Sequence, residues 1–173
     1  MLWFINVFLI VCLLTLCIED GKNREVRLYV LLLLGVFLFS RAMLLNESPI
    51  NILQFWLINN LVFMVELVFL KMYFSFRNKK VEPLINRYLG LGDVLFISLL
   101  GLSFSTYNFV VFLLASLCIA LVVSCVLVQY KKIESKNIPL ISLLSIPFSV
   151  LLILADACAF NLFSDAYLLN LLL

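Results

Sequence analysis

The sequence predicts an all-α integral membrane protein with six transmembrane helices and both termini on the non-cytoplasmic side. Three observations lead there. The 173 residues are 65% hydrophobic and only 13% charged, whereas a soluble domain carries nearer a quarter charged residues. Mean hydropathy is +1.20, and the apolar residues run in long blocks parted by short charged clusters, as helices in a hydrocarbon core require. The basic residues also alternate between sides when every block is taken as a crossing.

The blocks are about 2–18, 28–45, 50–73, 94–107, 109–130 and 138–158, forming a single polytopic domain over 1–173 with a cytoplasmic loop at about 74–93. The first lacks a basic start and a small-x-small cleavage site, and its basic cluster follows rather than precedes it, so it reads as an uncleaved helix. Four of the others approach the length of about 20 residues that a bilayer demands. The fourth is short, at roughly 14 residues and about 21 Å of rise, a length that also suits a re-entrant segment. Either one of its ends lies below the headgroups or the bilayer thins; were the sunken end that at Asp93, this carboxylate would sit in a shallow groove.

Charge decides in favour of a crossing. Lys22, Arg24 and Arg27 occupy the first loop; Lys71, Arg77, Lys79, Lys80 and Arg87 lie in or beside the third; Lys131, Lys132 and Lys136 occupy the fifth. Eleven of the 12 basic residues thus share one side, with Arg41 alone near the other. The positive-inside rule makes the shared side cytoplasmic, and a fourth block that failed to cross would turn the Lys131–Lys132 cluster outward.

Composition excludes several chemistries. There is no histidine, so no imidazole serves as base or ligand. The five cysteines (Cys12, Cys17, Cys118, Cys125, Cys158) form no C-x-x-C pair and read as small buried apolar side chains; no metal site and no cofactor is expected. A net charge of +2 spread over several loops gives no nucleic-acid footprint.

Each of the ten acidic residues needs its own explanation, because a carboxylate near hydrocarbon is costly without a purpose. Glu19, Glu25, Glu82 and Glu134 lie among basic loop residues, and Glu47 and Asp165 face the other side; all read as solvated charges. Asp156 closes the sixth block as an interfacial charge, and Glu66 reads as structural, paired with Lys71 or with polar groups on facing helices. Asp20 and Asp93 differ. Asp20 ends the first block and Asp93 opens the fourth in RYLGLGDVLF, at one cytoplasmic depth. Two carboxylates held close in a poorly solvated place tend to share one proton. One then acts as base toward a water while the other polarises a carbonyl, the division of labour of aspartic proteolysis. Gly90 and Gly92, lacking Cβ, suit a sharp turn and a close backbone approach. Taken alone, the G-x-G-D tetrad reads more readily as a helix N-terminus with a capping Asp.

Three stretches read together carry a resemblance. GLGDV at 90–94 resembles the G-x-G-D signature of membrane aspartic proteases, in particular the type IV prepilin peptidases. DGKNREV at 20–26 is similar to that family's first motif, and KKIESKNIPLISLLSIPF to its later stretch, in which a basic loop leads through I-P into a span. The resemblance covers residues 1 to about 154 and implies an aspartic endopeptidase of the inner membrane, with Asp20 and Asp93 catalytic. It further implies that Gly90, Gly92, Lys22 and Arg24 position a substrate, that no metal is used, and that the partners are type IV pilin-like precursors with basic leaders, cut at the cytoplasmic face. The longer members' zinc-binding domain is absent from this sequence, so no methyltransferase activity is expected. Two positions depart from the pattern: Val26-Arg27 stands where many members have I-P, and Leu95 where many have the Lys of G-x-G-D-x-K. A leader-binding component that does not cut is the alternative; a small transporter, resting on Glu66 and Asn59–Asn60, is a more distant one.

Overall fold

A computed structural model describes residues 2–23, 26–45, 47–79, 89–129, 139–158 and 160–165. Apolar residues without regular polar spacing leave each block one way to satisfy its backbone away from water, which is helix. The described residues accordingly form α1 (Leu2–Asn23), α2 (Leu28–Leu44), α3 (Pro49–Asn78), α4 (Leu91–Leu100) with a 3₁₀ turn at Gly101–Ser103, α5 (Thr106–Gln129) and α6 (Leu140–Ala157), and no strand. Four helices are long and apolar enough to cross a membrane: α1, α3, α5 and α6; α2 and α4 with its 3₁₀ turn are shorter. Each expected block therefore matches a helix, with α1 and α3 running about five residues further than hydropathy alone suggests.

The bundle is apolar on both its inside and its outside. Leu9, Leu13, Leu16, Leu34, Leu38, Phe96, Leu100, Leu144 and Phe148 fill the core. Trp3, Phe4, Leu32, Leu57, Leu61, Phe69 and Leu121 are each more than half exposed. An aqueous surface of that kind would be an aggregation hazard, while lipid solvates it. Cys118, Cys125 and Cys158 lie on this outer surface and only Cys12 is fully buried, which corrects the expectation of buried cysteines. Cys118 and Cys125 are one heptad apart, hence on the same outward stripe of α5.

The short fourth segment has a specific explanation. Its helix stops at a turn inside the protein, at the end remote from Asp93. Asn59 Nδ2 donates to Gly101 O (2.9 Å) and Phe104 O (3.0 Å), and Trp56 Nε1 donates to Ser98 O (3.0 Å). Asn59 is the eleventh residue of α3, so the turn lies roughly 15 Å along the bundle from where α3 begins. Non-helical backbone at such depth persists only under protein cover. Residues 160–165 supply the cover. Ser105 N donates to Leu162 O (3.1 Å), Asn108 Nδ2 donates to Leu162 O (2.7 Å) and Ser164 O (3.2 Å), the Ser105 hydroxyl donates to Asp165, and Phe163 packs beside Phe55. Asp165 is thus a partner within the turn and not a free solvated charge.

At that same far end, α1, α2 and α6 are tied by a buried ionic cluster. Arg41, 2% exposed, donates from Nε to Asn6 Oδ1 (3.0 Å) and pairs through Nη2 with Asp156 Oδ1 (3.2 Å); Asn6 Nδ2 also donates to Asp156. Asp156 therefore has a defined partner instead of a merely interfacial position. Glu66 and Lys71, by contrast, form no ion pair. Five residues on a helix subtend about 500°, which leaves the two side chains some 140° apart.

Two stability outcomes follow. Asn59→Leu leaves two buried carbonyls without donors and should cost about 1–3 kcal/mol, measurable as a lowered Tm in detergent. Asp156→Ala strands the Arg41 guanidinium without its counter-charge and should cost on the order of 3 kcal/mol. The double variant Asp156→Ala/Arg41→Met should recover part of that loss.

Candidate active site

Asp20 and Asp93 come from helices far apart in sequence, and both line one cleft of about 300 Å³ at the same end of the bundle. Its other walls are Val26, Leu28, Leu31, Gly90, Leu91, Gly92, Leu95 and Ile141. Apart from the two carboxylates, the side chains lining it are apolar.

Asp20 lies in the last turn of α1 and is 7% exposed. That is an adverse place for a carboxylate, because the C-terminal end of a helix carries partial negative charge and burial removes hydration. Helix α6 compensates. It starts after Pro139, and its first intrahelical bond runs from Leu143 N to Pro139 O (3.3 Å). The N–H groups of Leu140, Ile141 and Ser142 consequently have no partner within the helix. Ser142 N donates to Asp20 Oδ2 (2.8 Å), and Ser142 Oγ lies 3.1 Å from the same oxygen.

Asp93 is the third residue of α4, and its Oδ2 accepts from Gly90 N (3.0 Å). Gly90 itself caps the helix in an extended conformation (φ −70°, ψ 149°), so Asp93 is not the cap. The backbone N–H of Ile141 also favours the ionised form of Asp93. The same first turn of α6 therefore acts on both aspartates, through Ser142 N on Asp20 and the Ile141 N–H near Asp93. Asp93 lies at the mouth of the cleft, ahead of the apolar block that begins at Val94. Burial pushes its carboxyl up to about 6; the nearby Asp20 carboxylate adds to the rise, while the N–H groups of Gly90 and Ile141 oppose it.

The glycines serve approach and not a sharp turn, since no described glycine has a positive φ. A Cβ on Gly90 would lie 3.0 Å from Asp93 Oδ2, crowding the oxygen that the Gly90 N–H holds. A Cβ on Gly92 would meet Ile141 and Val26 side chains at 3.6 Å, ordinary contact distance. The structure thus requires glycine more strictly at position 90 than at 92. Lys22 is exposed in the last turn of α1 and does not line the cleft; Arg24 lies outside the described residues. Leu95 and Val26, the two departures from the motif pattern, both form cleft wall. Sequence reasoning missed Ile141 and Ser142. The signal available for them was I-P ahead of an apolar block, which marks a helix start and hence free N–H groups.

The raised Asp93 value has a consequence for stability. A carboxyl that holds its proton more tightly folded than unfolded stabilises the fold fully below the unfolded value near 4, and that contribution is lost as pH rises through about 6. Asp93→Asn should therefore raise Tm at pH 7.5 and change it little at pH 4, as scanning calorimetry in detergent would register. Equal Tm differences at both pH values would contradict the assignment.

No curated protein and no solved structure matches the chain. One family model does, over residues 7–125, which spans α1 through most of α5 and includes both aspartates. That match covers well over half the chain, and the protein belongs to the type IV leader peptidase family.

Proposed function

We propose that this protein is an aspartic endopeptidase that removes basic leaders from type IV pilin-like precursors at the cytoplasmic face of the inner membrane. The observation that carries the reading is the convergence of Asp20 and Asp93 on one cleft, with donors on each carboxylate. Family membership supports leader peptides as the substrate class.

In this reading the form that cuts carries one proton, on the half-buried Asp93, and Asp20, held by Ser142 N (2.8 Å), acts as the base. A water between them loses a proton to Asp20 as its oxygen attacks the scissile carbonyl carbon, and Asp93 donates its proton to the carbonyl oxygen. The tetrahedral diol then collapses. Asp20 passes its proton to the amide nitrogen as the C–N bond breaks, and a hydroxyl proton of the diol returns to Asp93. Leu28, Leu31, Leu91 and Ile141 give this exchange an apolar wall.

Topology fits the same reading. With six crossings, both termini lie outside, and the cleft end of the bundle faces the basic loops, where an uncut leader resides. The buried α4–α5 turn accounts for a fourth crossing shorter than the bilayer.

Asp20→Asn and Asp93→Asn should each insert and fold yet slow cleavage of a synthetic prepilin by at least about a hundredfold. Processing at the parental rate by either variant would overturn the assignment. Tight precursor binding with no product from the unaltered protein would instead favour a leader-binding component, a reading to which Leu95 in the cleft wall lends its one specific observation.

A further inference from the structure

Ser142 presents an arithmetic problem. Its hydroxyl oxygen lies 2.8 Å from Cys17 O and 3.1 Å from Asp20 Oδ2, both hydrogen-bonding distances. A hydroxyl has one proton and two lone pairs, so it cannot donate to both at once. Cys17 O has only lone pairs and must be the acceptor whenever that bond is made. The contact with Asp20 is then a hydrogen bond only if Asp20 carries a proton on Oδ2. When Asp20 is ionised, the better acceptor is the carboxylate, and the hydroxyl proton belongs there.

We infer that Ser142 is the positioning residue of Asp20, and that its hydroxyl follows the carboxyl proton: it donates to Oδ2 of the carboxylate and turns to the Cys17 carbonyl when Asp20 is protonated. This rests on the acid–base reading above, in which Asp20 gains and loses a proton in every turnover. The rotation leaves Ser142 and Oδ2 bonded in both states, and only the Cys17 carbonyl, whose helical partner is the N–H four residues on, gains or loses the hydroxyl. The backbone N–H of Ser142 holds Oδ2 throughout (2.8 Å), so the carboxyl is fixed while its proton comes and goes. Both bonds end on Oδ2, which leaves Oδ1 as the oxygen that Ser142 does not occupy.

Among the described residues, the other groups around Asp20 do not account for the same effect. Its own helix carries Cys17, Glu19 and Lys22; Glu19 is engaged by Arg27 (3.3 Å), and Lys22 is exposed. Asp93 is the charge that α4 brings, and Arg27 and Tyr29 sit together where α2 begins (2.9 Å). The ionisable residues that α2 and α6 contribute further along, Arg41 and Asp156, pair with each other at the far end of the bundle. Helix α6 therefore acts on Asp20 through the N–H and hydroxyl of Ser142.

Since the hydroxyl bonds the ionised form more strongly, its loss should make Asp20 harder to ionise. With full-length protein in detergent and a synthetic prepilin, Ser142→Ala should move the acid limb of the kcat/KM profile upward by about one pH unit. Ser142→Thr, which keeps the hydroxyl, should restore it. Should Ser142→Ala fail to insert, Ser142→Cys preserves size while losing most of the donor strength and should show the same displacement. A uniform loss of rate with the limb unmoved would reduce Ser142 to a packing residue and overturn the inference. A parental protein that cuts no precursor would defeat the peptidase reading instead. In that event, infrared titration of the protonated-carboxyl band, assigned by its loss in Asp20→Asn, decides the matter without turnover: the Asp20 titration should move upward in Ser142→Ala, and an unmoved titration overturns the inference.

Discussion

A carboxylate withdrawn from water keeps its charge only where donors replace its hydration, and in this chain they come from helix starts, Gly90 N at the cap of α4 for Asp93 and the first turn of α6 for Asp20. Ile141 N faces Asp93 and Ser142 N faces Asp20, two N–H groups that α6 leaves unused because its ladder begins only at Leu143. Without that turn, Asp20 would lie buried at the negative end of its own helix with no compensating group from α6. The pairing also explains why the aspartates behave differently. Asp20 is nearly enclosed and held by the N–H of Ser142, whose hydroxyl lies beside the same oxygen, whereas Asp93 stays half-buried and holds its proton to about 6.

Such a site depends on where α1 and α6 sit relative to each other, and the far end of the bundle fixes that. Arg41 draws Asn6 of α1 and Asp156 of α6 together around a guanidinium with no exposure to spare. The same two helices therefore meet at a polar cluster at one end and at Asp20–Ser142 at the other, with apolar packing between. A slip of one helical turn would break both clusters at once, so the polar contacts specify register where Leu-on-Leu contacts alone are permissive. Helix α6 follows the residues matched by the family model, yet it furnishes donors to both motif aspartates. The site is thus larger than its signature.

Much of this was legible beforehand for identifiable reasons. Blocks of apolar residues too long for loops had to be helices, and hydropathy marked one block for each, although its fourth, 94–107, ran past the end of α4 at Leu100 into the start of α5. Asp20 and Asp93 stood out because each is a carboxylate bordering hydrocarbon, and their shared depth followed from the alternation of basic loops. Other residues misled. Glu66 and Lys71 looked like a pair but stand on different sides of α3, and three of the five cysteines, apolar enough for a core, face outward because lipid accepts them equally well. Gly90 and Gly92 suggested a turn, whereas the backbone there is extended and then helical, and what matters at Gly90 is room beside Asp93 Oδ2.

Sequence by itself determined that this chain inserts into a membrane as a helical bundle and that two aspartates lie near one face of it. Both follow from hydropathy and charge, which are properties of residues and of their order along the chain. Only the tertiary structure decided that Asn59 and residues 160–165 bury the α4–α5 turn, that Arg41 is neutralised by Asp156, and that Ser142 holds Asp20. Each of those contacts joins residues more than forty positions apart. A hydrogen-bond donor has no period or hydropathy that reveals which distant acceptor it will meet. Its partner is set by the packing of whole helices, and so it becomes visible only once they are packed.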